Sequence, residues 1–116
     1  MKILVLEGDG IGPDIVAAAV EVVKAADLRF NLGLELEVAD SGLSSLEKNG
    51  STLPDETWGK ILAADGVILG PCHTAIYPAP EEGGINPSAR LLAMKANRPS
   101  SAVRATIAKA KLHRII

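Results

Sequence analysis

The sequence predicts an α/β fold, a doubly wound parallel βαβαβ sheet with helices on its faces, and three observations carry that prediction. Residues 2–6 and 66–69 are short segments built on aliphatic runs, Ile3–Leu6 and Val67–Leu69, of the kind found in strands buried on both faces. The segments Asp14–Ala26 and Asp55–Ala64 carry helical character between them. Glycine and proline stand where the pattern changes, so strands and helices alternate, and parallel strands joined by right-handed crossovers follow.

Taken in order, Ile3-Leu4-Val5-Leu6 is the core of the first strand. Gly8, Gly10 and Gly12 then alternate in a tight turn, with Gly12 as N-cap and Pro13 as first helical residue. Ile15, Ala18, Ala19, Val22, Val23 and Ala26 follow at the i, i+3, i+4, i+7 spacing of an amphipathic helix. Leu34–Ala39 alternates apolar and polar residues, which predicts a strand with one wet face. A short helical piece over Leu43–Lys48 stops at Asn49-Gly50. A second clear helix follows Pro54, with Asp55 and Glu56 favourable in its first turn. Gly66–Leu69 is a buried strand closed by Gly70-Pro71. Residues 71–87 hold Pro71, Pro78, Pro80, Gly83, Gly84 and Pro87, so they form a long loop, and loops of this length are functional or disordered. Ser88–Ala96 reads as a helix with Ser88 as its cap, and residues 101–114 as a second, basic one with a thin apolar stripe of Val103, Ile107 and Ala110.

Strand, glycine turn and helix start make a place where backbone N–H groups and the helix dipole favour an anion. The spacing is not the dinucleotide fingerprint, whose third glycine would fall at position 13, which is Pro. In parallel sheets ligands bind outside the carboxyl ends of the strands. Here two such ends are the turn at 8–12 and the segment from Gly70 onward.

Composition narrows the class. The 116 residues suit one domain, and with only Phe30, Trp58 and Tyr77 aromatic the core must be Ala, Val, Ile and Leu. The single cysteine, Cys72, excludes an internal disulfide and suits a reducing cytoplasm, and no neighbouring His-Asp arrangement marks it as a nucleophile. The apolar run after Lys2 is too short for a signal peptide, and no stretch approaches a membrane span. Soluble and cytoplasmic is the expectation. All 14 acidic residues lie at or before Glu82, against five basic ones; from Arg90 onward there are seven basic residues and no acidic one. Such a split is seen in nucleic-acid-binding tails, but this tail has no aromatic residue to stack on bases, so nucleic acid is not the expected partner.

Leu6-Glu7-Gly8-Asp9-Gly10-Ile11-Gly12-Pro13-Asp14 resembles the opening of the isocitrate/isopropylmalate dehydrogenase family, the NAD(P)-dependent β-decarboxylating dehydrogenases. Leu53-Pro54-Asp55-Glu56-Thr57 leading into Ala64-Asp65-Gly66-Val67-Ile68-Leu69-Gly70-Pro71 is a second match. Glu82-Gly83-Gly84-Ile85-Asn86-Pro87-Ser88-Ala89, echoed in Ala96-Asn97-Arg98-Pro99, is a third. The three stand in the family's order over residues 1–91, and the Tyr77–Gly84 loop is closer to isopropylmalate- or tartrate-type members.

The resemblance implies oxidation of a 2-hydroxy dicarboxylate with NAD, then decarboxylation aided by Mg²⁺ or Mn²⁺. It implies cofactor contacts at Ile11, Gly70, Pro71, His73 and Thr74, and substrate contacts at Ser88 and Arg98. Arginine is the best partner for substrate oxyanions. Plainer roles stand beside these: Ser88 as a cap, Arg98 as a solvated charge, His73 as an exposed loop histidine, and Asp9 as a turn stabiliser bonding neighbouring backbone N–H groups. Two departures stand out. The family's other arginine in this helix corresponds to Leu92, and the stretch between Leu91 and Ala96 is about four residues short, about one helical turn. By resemblance the metal-binding aspartates and the catalytic Lys and Tyr lie beyond residue 116, so no catalytic or metal residue is assigned, and the family's homodimer interface lies mostly beyond it too. The sequence thus divides into an N-terminal α/β part over 1–91 and a divergent basic helical tail over 92–116. It is expected to be truncated and inactive alone. The alternative is a free-standing anion-binding module whose basic tail meets a partner.

Overall fold

A computed structural model of the chain describes residues 1–96. Three strands, β1 (Lys2–Leu6), β2 (Glu35–Ala39) and β3 (Gly66–Leu69), form one parallel sheet in the order β2-β1-β3. The helices are α1 (Gly12–Phe30), α2 (Gly42–Asn49), α3 (Asp55–Ala63) and α4 (Pro87–Ala96), with short 3₁₀ turns at Thr74–Ile76 and Pro80–Glu82. This is the predicted α/β architecture, and each predicted boundary through residue 69 lies within a few residues of the observed one. Segment 101–114 lies outside the described residues.

The central strand shows why the sheet must be covered twice. Successive side chains of β1 point to opposite faces, and residues 3–6 are all buried. Ile3 and Val5 pack with Val16 and Val23 of α1 and with Ile68. Leu4 and Leu6 pack on the other side with Leu53, Ile61, Ala64 and Val67, the α3 side. The register agrees: Leu4 faces Val67 and Val5 faces Ile68 across the β1–β3 pair.

Chain direction imposes the same arrangement. The chain leaves β1 toward β2 on one side, then returns past β1 to β3 on the other. Two right-handed crossovers running in opposite directions must lie on opposite faces, so α1 takes one face and α2–α3 the other. Leu91 of α4 packs against the α3-side cluster.

The edge strand departs from the predicted alternation. Leu36 does pack against the α1-side cluster, but Val38 on the same side is 61% exposed. β2 is an edge strand of the sheet, paired on one side only. Glu37 on the opposite side meets Lys60 at 3.0 Å and Lys2 at 3.9 Å.

Candidate functional site at the sheet switch point

The connections after β1 and after β3 leave neighbouring strands toward opposite faces, one to α1 and one to α4. A crevice opens at such a point, and it is where ligands of open α/β sheets bind. Its walls are the turn Glu7–Ile11 and the segment Gly70–Tyr77. The two touch directly. Gly8, at φ 78°, lies so close to the Pro71 carbonyl that a Cβ would overlap it, and Asp9 N–H donates to Pro71 O at 2.7 Å. Gly70 N–H donates to Leu6 O at 2.8 Å and continues the β1–β3 pairing to the mouth of the crevice.

Asp9 organises this region. The residue is 8% exposed, and its carboxylate accepts from Leu43 N–H at 2.7 Å, from His73 N–H at 2.9 Å and from Tyr77 O–H. The expected turn role is therefore corrected: the carboxylate reaches past its own turn to two other segments. Burial pushes the carboxyl up, but these three hydrogen bonds outweigh it and hold the group below its ordinary value. Burial together with the bond to Asp9 pushes Tyr77 well above the usual phenol range. Burial also raises the Cys72 thiol, whose Sγ lies 3.6 Å from Gly70 O, so Cys72 is a structural thiol and not an activated one.

The five residues expected at the cofactor fall along these walls. Ile11 is 67% exposed beside the turn, an apolar side chain left open to solvent. Pro71, His73 and Thr74 are exposed and Gly70 is half-buried. Ser88 sits in the first turn of α4 and is exposed. Its expected capping role is corrected, because Asn86 Oδ1 accepts the Ala89 N–H at 3.2 Å and does the capping. Leu92, one turn beyond Ser88, is exposed as well. Arg90 points elsewhere, its guanidinium 4.1 Å from the Trp58 ring centroid. Arg98 lies outside the described residues.

Sequence reasoning missed Thr52. Fully buried, it accepts from Ile85 N–H and donates to Ile85 O, both at 2.7 Å, while its own N–H donates to Gly83 O at 2.9 Å. The long loop ahead of α4 is thereby stitched to the segment before α3. Nothing in a lone Thr before a Leu-Pro pair signals such a role.

Among the described residues no group of three or more His, Cys, Asp or Glu side chains is placed to hold a metal ion, and no helix is long and apolar enough to cross a membrane. A groove of about 190 Å³ lies between β2 and α3, away from the crevice. Its polar groups pair with one another or with neighbours: Lys60 with Glu37 at 3.0 Å, Asn49 Nδ2 with Asp40 at 3.2 Å, and Thr57 Oγ1 with Asp40 O at 2.8 Å.

A parallel sheet wound in both directions, with a glycine turn facing a second wall at its switch point, defines the class: a doubly wound α/β protein. A profile of the isocitrate/isopropylmalate dehydrogenase family matches residues 2–110, and the chain belongs to that family. Its members are oxidative decarboxylating dehydrogenases. The chain is 44% identical over 89 residues to a 3-isopropylmalate dehydrogenase of Xanthomonas euvesicatoria, covering 77% of this chain and 24% of the relative. It is 46% identical over 69 residues to the 3-isopropylmalate dehydrogenase of Pseudomonas fluorescens, covering 60% and 19%. Its fold is similar to a β-decarboxylating dehydrogenase from Thermococcus kodakarensis, with TM-score 0.62, 27% identity, and 78% and 25% of the two chains covered. Isocitrate dehydrogenase from Methylococcus capsulatus is also similar, with TM-score 0.52, 37% identity, and 59% and 19% covered. The chain spans about a quarter of the length of the Xanthomonas relative.

Proposed function

We propose that this chain supplies the cofactor-facing N-terminal part of an NAD-dependent β-decarboxylating dehydrogenase acting on a 2-hydroxy dicarboxylate of the 3-isopropylmalate type. The observation that supports the reading is that Ile11, Pro71, His73 and Thr74 are exposed on the two segments that follow β1 and β3, which meet at the sheet switch point. The substrate class follows from the named activity of the 43–46% identical relatives. Residues 1–91 form the working α/β part in this reading and 92–116 a separate basic tail. The single cysteine suits a cytoplasmic setting, and a homodimer is the family expectation, although most of its interface lies beyond this chain.

In this reading Ile11 offers an apolar surface for a flat ring, and Gly70 and Pro71 allow close backbone approach. His73 and Thr74 supply hydrogen bonds at the rim. Together these residues would hold NAD, which would supply the hydride acceptor for oxidation at the carbon bearing the hydroxyl. Ser88 offers its hydroxyl to a substrate carboxylate, a role its release from capping permits. Arg98 would pair with a second carboxylate. Mg²⁺ or Mn²⁺ belongs to the family chemistry, but the described residues do not fit a divalent ion, so no step is assigned to one.

A free-standing anion-binding module is the second reading. One observation weighs against it: helix N-termini near the crevice already carry carboxylates, with Asp14 in the first turn of α1 and Asp9 on Leu43 of α2. The two readings separate in one titration. Adding NADH to the ¹⁵N-labelled chain is expected to move the amide signals of Ile11 and Gly70–Thr74. Shifts with inorganic phosphate alone, and none specific to NADH, would favour the module. The chain by itself is expected to make no NADH from 3-isopropylmalate, NAD and Mg²⁺, and steady turnover would overturn the inactive-alone part.

A further inference from the structure

We propose that Asp9 is a positioning residue for the cofactor wall: its carboxylate sets the path of Gly70–Tyr77, and the crevice keeps its binding shape only while this clip is closed. The ligand arm of the test rests on the cofactor reading above; the remainder rests on geometry alone.

An Asp in a tight turn ordinarily bonds the backbone two residues ahead. Asp9 instead spends both carboxylate oxygens on donors far along the chain. Oδ1 accepts from Leu43 N–H, 34 residues on, and Oδ2 accepts from His73 N–H and Tyr77 O–H, 64 and 68 residues on. Its main-chain N–H adds the bond to Pro71 O. The segment leaving β3 is therefore held at Pro71, His73 and Tyr77 by a single residue of the opposite wall. The exposed side chains of His73, itself anchored, and of Thr74, next to it, take their direction from this fixed backbone. The clip is also tightly enclosed. Gly42 lies against the carboxylate, and a Cβ there would strike Oδ1. A buried carboxylate with donors on both oxygens tolerates no exchange for a group that donates.

Asp9→Asn tests this, since the amide keeps the shape but turns one acceptor into a donor facing donors. The expected result is that amide signals of Leu43 and of Gly70–Tyr77 shift together while those of β1 and β3 stay in place, and that NADH binds about tenfold more weakly, as loss of one hydrogen bond to a charged group implies. Shifts confined to residues 7–12, or unchanged NADH affinity in a variant whose wild-type parent binds, would overturn the proposal. If Asp9→Asn fails to fold, Tyr77→Phe decides, because it removes one donor and leaves the charge. There the Gly70–Thr74 signals must shift and NADH binding must weaken, and no change in either would overturn it. If the wild-type chain shows no NADH response, the cofactor reading fails, and the linked shift of Leu43 and Gly70–Tyr77 alone decides the positioning role.

Discussion

Thr52 is bonded through its hydroxyl to both the N–H and the carbonyl of Ile85, in a position with no access to water. Thr52→Val keeps the shape and leaves two backbone groups unpaired, which we expect to cost about 1–3 kcal/mol in urea denaturation, while Thr52→Ser loses less. The glycine turn offers a second test at this scale. Gly8 and Gly10 both hold positive φ, at 78° and 57°, but only Gly8 has a neighbour that a Cβ would strike. Gly10→Ala should cost only the left-handed backbone term, roughly 1–2 kcal/mol. Gly8→Ala should cost more, because Pro71 must move as well, and equal losses in a melting experiment would contradict the close contact. The turn itself was readable from the sequence, since three alternating glycines between a strand and a helix have few other uses. Thr52 and the long reach of Asp9 were not, because a bond between residues 33 or 64 apart leaves no local pattern.

At the scale of elements, α4 is held by three different means: Asn86 caps it, Leu91 packs against the α3-side core, and Arg90 stacks on Trp58. Arg90→Ala should cost about 0.5–1 kcal/mol, the range of a half-exposed cation–π contact. Trp58 is the chain's single tryptophan, so its fluorescence reports the change without interference. An unchanged emission spectrum would show that the stack is not populated. The elements through β3 were legible because their apolar periodicity follows from which face each must bury. The cap of α4 was misplaced by two residues, for a physical reason. Both Asn86 and Ser88 are good caps, and only the position of Pro87 as the first helical residue decides between them. Val38 misled in a similar way: alternation marks which side a residue faces, whereas cover on an edge strand depends on what packs beyond it.

For the whole molecule, the Asp9–Tyr77 pair defines a pH window. Asp9 has its folded pKa lowered, so its contribution is present above the unfolded value of about 3.9 and is lost as pH falls through the folded one. Tyr77 has its folded pKa raised, so its contribution is complete below about pH 10 and is lost as pH rises beyond it. Melting temperature is therefore expected to hold level with respect to this pair between about pH 4 and 10 and to fall on both sides. Tyr77→Phe should flatten the alkaline limb, and a limb unchanged in that variant would show that another group causes it. The doubly wound sheet followed from the alternation of elements alone. The closure of its crevice did not, since it depends on two loops from distant parts of the chain meeting at Gly8 and Pro71.

The bond from Asp9 to Leu43 also bears on the order in which the chain can fold. Helix α2 has eight residues, and Ser41 at its N-cap makes no side-chain capping bond. Isolated helices of that length are unstable in water. Its first turn instead borrows acceptors from distant segments, Asp9 Oδ1 for Leu43 N–H and Thr52 O for Gly42 N–H at 2.8 Å. A peptide of residues 41–50 should therefore show no helix by circular dichroism. In the intact chain α2 should therefore form late, once the long-range contacts that supply its N-terminal acceptors are in place, so that a local element waits on distant ones.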